Sequence, residues 1–172
     1  MRARKLFFMI SSSLLISCVN TEFAAFDPNL EWNIKGRISV SRSETSGIYN
    51  FAVSKKNEVE ELVVFSLFGL ELYRTRLLSN GVLVGDPRFG SLFRESEDLD
   101  YFRRDDLEFI LRLLPFWVTG QDKFGKALPM GFQENRWSIE FADFVGARPR
   151  TIILNKGIIR AKIRIIEIEN LN

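Results

Sequence analysis

The sequence predicts a mainly β chain with inserted helical material, an α+β arrangement in which one large antiparallel sheet curls around its own interior. Three observations carry that expectation. Period-two alternation runs through most of the chain, the signature of strands with one dry and one wet face. One segment in the middle switches to helical spacing. Sixteen Phe and three Trp help bring the aromatic content to 13%, on a sheet with little helix to cover it. Those aromatics fit either an ordinary core or the inner wall of a hollow half-barrel.

The elements follow in order. In Trp32 to Val40, Ile34, Ile38 and Val40 share a face, and Gly36 between them permits a bend. Tyr49, Phe51 and Val53 alternate in the next run. Leu62 to Phe65 is apolar at every position, which implies cover on both faces. Turn-forming residues then fail where they are expected: the bend at Ser66-Leu67-Phe68-Gly69-Leu70 holds three large apolar side chains. Such a bend is either tucked under a loop or exposed for a purpose. Gly81 to Gly85 reads as a short strand. Residues 98–103 suggest a helical turn, and Asp105 to Leu114 places Leu107, Ile110, Leu111 and Leu114 on one helix face, with Pro115 expected to stop it. Trp137, Ile139 and Phe141 alternate, as do Ile159, Ala161, Ile163 and Ile165. Ile152-Ile153-Leu154 and the last strand flank a hairpin turn at Asn155-Lys156-Gly157.

The N-terminus has the layout of a secretory leader. Arg2, Arg4 and Lys5 precede an apolar run from Leu6 to Ser17 that is too short and serine-rich for a membrane-spanning helix of about 20 residues. It ends in Leu15-Ile16-Ser17-Cys18, which resembles the bacterial lipobox, against the plainer reading of an ordinary leader with a chance cysteine. The lipobox implies cleavage before Cys18, a diacylglycerol on its sulfur and a further acyl chain such as palmitate on its amine. Cys18 is the single cysteine, so it has no disulfide partner within the chain. Loss of Arg2, Arg4 and Lys5 takes the basic residues from 24 to 21, against 22 acidic ones. A near-neutral mature chain gives no sign of nucleic-acid binding. The divisions expected are residues 1–17 as leader, 18–31 as a lipidated tether and 32–172 as one domain.

Catalytic chemistry is sparse in the sequence. With no histidine and its one cysteine assigned to lipid, the chain lacks the commonest general base, a free thiol nucleophile and a zinc cluster. Asp86 and Glu95 form no more than a conceivable acid–base pair among solvated charge runs. Gly120 to Lys126 lacks the spacing and hydroxyl of a phosphate loop. No enzyme activity, metal or cofactor is expected.

The motifs together resemble the LolA/LolB-like lipoprotein localisation family. Trp32 to Val40 is similar to the opening strand of its outer-membrane receptors. Leu113-Leu114-Pro115-Phe116-Trp117-Val118-Thr119-Gly120 is similar to the segment that ends their lid helices. Gly131 to Phe141 resembles their Phe-x-Gln-x-x-x-Trp-x-Val/Ile-x-Tyr strand, and Leu67 to Leu72 sits where they carry a Leu-Gly-x-x-x-Leu hairpin. The chain departs from the pattern at Pro115 and in lacking a tryptophan near the end of the last strand.

The resemblance implies an incomplete antiparallel barrel, a half-barrel with a short helical lid over an apolar cavity for acyl chains. It implies a monomeric receptor on the periplasmic face of the outer membrane that takes lipoproteins from a LolA-like periplasmic carrier and inserts them into the inner leaflet. Combined with alternation, it makes Ile38, Val40, Phe51, Val64, Leu72, Leu111, Trp117, Trp137, Ile139, Phe141, Ile153, Ile163 and Ile165 the expected cavity wall. Leu67, Phe68 and Gly69 become the membrane-insertion loop, with Phe68 in place of the family's protruding leucine. An acidic carrier in related systems implies a basic docking surface, with Arg37, Arg42, Lys55 and Lys56 as candidates. The alternatives are an anchored lipoprotein of the same fold that binds another amphiphile, and a structural envelope lipoprotein that uses its sheet edge to bind protein.

Overall fold

Side-chain alternation is realised as a single antiparallel sheet. The computed structural model describes residues 26–85, 104–122 and 124–171. Cys18, the leader, the helical turn expected at 98–103, and Asp86 with Glu95 lie outside them. The strands are β1 (Trp32–Arg42), β2 (Thr45–Lys56), β3 (Val59–Phe65), β4 (Glu71–Leu77), β5 (Leu83–Gly85), β6 (Gly131–Glu134), β7 (Trp137–Val145), β8 (Arg148–Lys156) and β9 (Ile159–Asn170). Their spatial order is β5-β4-β3-β2-β1-β9-β8-β7-β6. Two meanders therefore meet where the first and last strands pair, and β5 and β6 remain as edges among the described residues, leaving an open half-barrel.

The inner face holds the core. Trp32, Ile34 and Val40 of β1 are buried beside Tyr49, Phe51 and Val53 of β2, and Trp137, Ile139 and Phe141 of β7 beside Ile152 and Leu154 of β8. Gly36 sits in this face because a Cβ there would lie 2.6 Å from the Phe51 ring and 2.5 Å from the Arg164 carbonyl oxygen. The β1–β9 register shifts beside it: Lys35 pairs with Glu167 and Gly36 with Ile165, so Ile166 is an extra residue in a bulge. That extra residue restores the inward phase at Ile168, three positions after Ile165. Val63, on the outer side of β3, is also buried. It pairs with Arg74, whose guanidinium binds both Glu61 and Glu71.

Helix α1 (Arg104–Trp117) fills the concavity. Ile110, Leu111, Leu114, Trp117 and Val118 recur at helical spacing and join the strand core, and Phe109 meets Trp117 edge-on at 5.8 Å. The expectation that Pro115 ends the helix is incorrect. A proline near the C-terminus forfeits one intrahelical hydrogen bond, and the chain stays helical through Trp117. The stop is Gly120, at φ 76°. Its N–H donates to the Trp117 carbonyl at 3.0 Å and the Gln121 N–H donates to the Phe116 carbonyl at 3.3 Å, the Schellman pattern.

Candidate functional site

Positive-φ residues close the strand connections, and one connection is chemically unlike the others. The β2–β3 turn uses Asn57 and Glu58, and the β6–β7 turn uses Asn135 and Arg136, all polar and left-handed. The β3–β4 turn exposes Leu67 by 52%, Phe68 by 98% and Leu70 by 68%. Gly69 supplies the left-handed position at φ 84°, with open space where a Cβ would sit. The apolar bend therefore faces outward, and among the described residues no loop covers it.

Ser66 organises this tip. Its hydroxyl oxygen accepts from the backbone N–H of Phe68 at 3.3 Å and of Leu70 at 3.1 Å. Its own N–H donates to the Leu70 carbonyl at 2.8 Å, and its carbonyl accepts from Gly69 at 3.1 Å. The N–H groups of residues 66, 68, 69 and 70 are thus satisfied inside the turn. Such a turn presents apolar side chains without presenting these four donors, which suits it to surroundings that cannot hydrogen-bond.

Below the tip, the hairpin arms are tied by ions. Arg74 donates to Glu61 at 2.6 Å and to Glu71 at 2.7 and 2.8 Å, and Arg76 donates to Glu61 at 2.6 Å. Burial pushes the Glu61 carboxyl up, but the hydrogen bonds from Arg76 and Arg74 outweigh it and hold the group below its ordinary value. The hydrogen bonds that Arg74 donates to Glu71 and, against the effect of burial, to Glu61 raise it above the usual arginine range. A stiff base thus carries a stiff tip.

The expected wall residues fall into three groups. Val40, Phe51, Val64, Leu111, Trp117, Trp137, Ile139, Phe141, Ile163 and Ile165 belong to one buried cluster on the inner face, and Ile38 and Leu72 are partly buried against it. Ile153 does not belong with them. It pairs with Glu140 and Lys162, while its neighbours Ile152 and Leu154 point inward, so Ile153 faces outward. The basic candidates are scattered: Arg42 is at the β1–β2 hairpin, whereas Lys55 lies opposite Trp32 at the other end of the same strand pair.

A latch holds α1 against the strands. Asp106 is buried and accepts from the Trp137 indole N–H at 3.1 Å and from the Lys156 ammonium. Lys156 also lies 5.3 Å from the Trp137 ring centroid. Neither Ser66 nor this latch was legible in advance. Ser66 reads as an ordinary turn residue, and Asp106 reads as a favourable charge near a helix N-terminus.

Among the described residues no group of His, Cys, Asp or Glu could hold a metal ion. No described helix is long and apolar enough to cross a membrane. No family model matches the sequence, and no curated protein matches it. Among solved structures, the chain is similar to a LolA superfamily protein from Nitrosomonas europaea at 9% identity, covering 85% of this chain and 88% of that one, with a TM-score of 0.44. It is also similar to a DUF1329 family protein from Desulfovibrio piger at 10% identity, covering 82% and 85%, with a TM-score of 0.35. At these identities the likenesses concern the fold alone.

Proposed function

We propose that this protein is a lipid-anchored receptor of the outer membrane that accepts lipoproteins from a periplasmic carrier and releases them into the facing leaflet. The observation that carries the proposal is Phe68, 98% exposed at the tip of a turn whose hydroxyl staple satisfies its backbone. The lipobox-like sequence ending at Cys18 and the sequence resemblance support the same reading.

Acyl chains cost about 0.8 kcal/mol per methylene when left in water, so transfer between membranes needs shelter. The concave face offers an apolar wall, and in the closed form α1 occupies it. Acyl chains therefore reach that wall when α1 lifts away from β7 and β8. Release needs no nucleotide if the bilayer is the most favourable of the successive environments. Phe68 would enter the bilayer first, with Leu67 and Leu70 beside it. Inserting the three would contribute roughly 5 kcal/mol, enough to hold the mouth of the site at the membrane surface.

The test is Phe68→Glu in a reconstituted transfer assay. A charge at the tip cannot enter hydrocarbon, so release into vesicles should fall at least tenfold. Acceptance from the carrier should stay within about twofold of the parent. If acceptance collapses to the same degree as release, the tip is not a membrane contact and the proposal fails.

A further inference from the structure

Away from the loop, a second concavity of about 620 Å³ opens where β1, β9, β8 and β7 run together. Three arginines line it, Arg37, Arg150 and Arg164, against one carboxylate, Asp143. Arg37 and Arg164 are direct cross-strand partners in the β1–β9 ladder. Like charges placed opposite each other weaken a sheet. Neither arginine forms an ion pair with a carboxylate among the described residues.

Two backbone irregularities shape the cleft. The β9 bulge leaves the Ile165 and Ile166 carbonyls within reach of Arg150, which donates to them at 3.3 and 3.2 Å and is thereby fixed in position. In β7, Asp143 takes a left-handed conformation at φ 55° and drops out of the pairing between Ala142 and Phe144. Its carboxylate accepts from the Thr151 hydroxyl at 2.6 Å. The β9 bulge is of the kind that re-aims side chains beside binding sites. Burial, and then the charge of Arg164, lowers the proton affinity of Arg150. Its rim is apolar: Phe144, Val145 and Ile166 are 41%, 45% and 55% exposed.

We propose that this cleft binds a phosphate-bearing anionic amphiphile, with the phosphate held by Arg37, Arg164 and Arg150 and the apolar portion on Phe144, Val145 and Ile166. Guanidinium groups match phosphate oxygens in geometry and charge. A purely hydrophilic anion would leave the rim unused, and a neutral lipid would leave the arginines facing one another. Arg37 and Arg164 stand on the outer face, whereas Ile165, which also lines the cleft, belongs to the inner cluster; the proposal does not depend on the receptor reading. The cleft does adjoin the loop: Arg37 donates to the Asn50 side chain at 3.4 Å, and Asn50 donates to the Ser66 carbonyl at 3.4 Å.

The test uses the full chain with Cys18→Ala, titrated calorimetrically with three probes. These are dihexanoylphosphatidylglycerol below its micelle concentration, glycerol phosphate and dihexanoylphosphatidylcholine. Phosphatidylglycerol should bind at least tenfold more tightly than either of the others. Arg164→Glu should weaken it at least tenfold while the fold is kept, since the change places opposite charges across the β1–β9 pair. Arg160→Glu, the same charge change elsewhere on β9, should have less than a twofold effect, as should Phe68→Glu. Phe144→Ser should weaken phosphatidylglycerol and leave glycerol phosphate unchanged. Equal binding of glycerol phosphate and phosphatidylglycerol would overturn the proposal by removing the role of the rim. Equal losses from Arg160→Glu and Arg164→Glu would overturn it by reducing the effect to general charge.

Discussion

Asp106→Asn tests whether α1 is latched to the sheet. Asparagine keeps the shape of the side chain and can still accept from the Trp137 indole, so the substitution removes charge and little else. The carboxylate is buried, while the Lys156 side chain retains 26% exposure. Breaking a fully buried ion pair costs about 3–5 kcal/mol, and an exposed pair is worth about 0–1 kcal/mol. With one partner buried and the other partly wet, a loss of about 1–2 kcal/mol is expected. For a domain of this size, that lowers the melting temperature by roughly 3–6 °C. Urea unfolding followed by tryptophan fluorescence measures it directly, since Trp137 and Trp117 are both in the affected packing. Lys156→Met should cost more, because it leaves the charged member buried while taking away its cation. A loss below about 0.3 kcal/mol for Asp106→Asn, or a larger loss for it than for Lys156→Met, would refute the latch.

Two further outcomes rest on single residues. Burial raises the Glu60 carboxyl above its ordinary 4.5 despite the nearby charges of Lys55 and Arg112, and its Oε2 lacks a hydrogen-bond partner. The folded state then holds the proton more tightly than the unfolded one, so stability falls as pH rises from 4.5 to the raised value and is level above it. Glu60→Gln should therefore unfold at higher urea than the parent at neutral pH, with the difference shrinking towards about pH 4. Gly120→Ala should cost about 2–4 kcal/mol in the same assay, because its Cβ would lie 2.3 Å from the Ala147 carbonyl oxygen in a left-handed backbone. Gly125→Ala is the control, with a similar φ of 77° and open space around it, and should cost about 1 kcal/mol.

Alternation matches the inner faces of β1, β2, β7 and β9 because polar residues between the apolar ones set the phase: Asn33, Lys35 and Arg37 in β1, Asn50 in β2, Ser138 and Glu140 in β7, and Arg160, Lys162 and Arg164 in β9. Ile152-Ile153-Leu154 has no such marker, and its phase comes from pairing with Ile163, Lys162 and Ala161 in β9. The helix end was misread because a proline is a conspicuous breaker, whereas the Schellman hydrogen bonds at Gly120 depend on geometry that composition does not reveal. The arginine cleft was invisible for another reason. Arg37 and Arg164 become neighbours through the closure of the first strand on the last, and in the sequence Arg164 is one wet-face residue among Arg160 and Lys162. Phe68 stands out from its neighbours alone, but whether the tip is tucked or exposed is set by the folded hairpin and the Ser66 hydrogen bonds, which composition does not reveal.

The junction before β1 has a mechanical consequence. Asp27 and Asn170 exchange hydrogen bonds of 3.0 and 2.9 Å, fastening the start of the domain to the end of β9, and Phe26 rests 6.3 Å from the Trp32 ring. Phe65 reaches the level of Arg37 through Asn50, about 17 Å along the strands from Trp32, and Phe68 lies beyond it. If Cys18 holds the anchor, eight residue steps separate it from Phe26, a contour of at most about 27 Å. On the proposed reading, the fastening puts the pivot near the opposite end of the strands from Phe68, so the tip meets the surface only when the domain lies over towards its anchor.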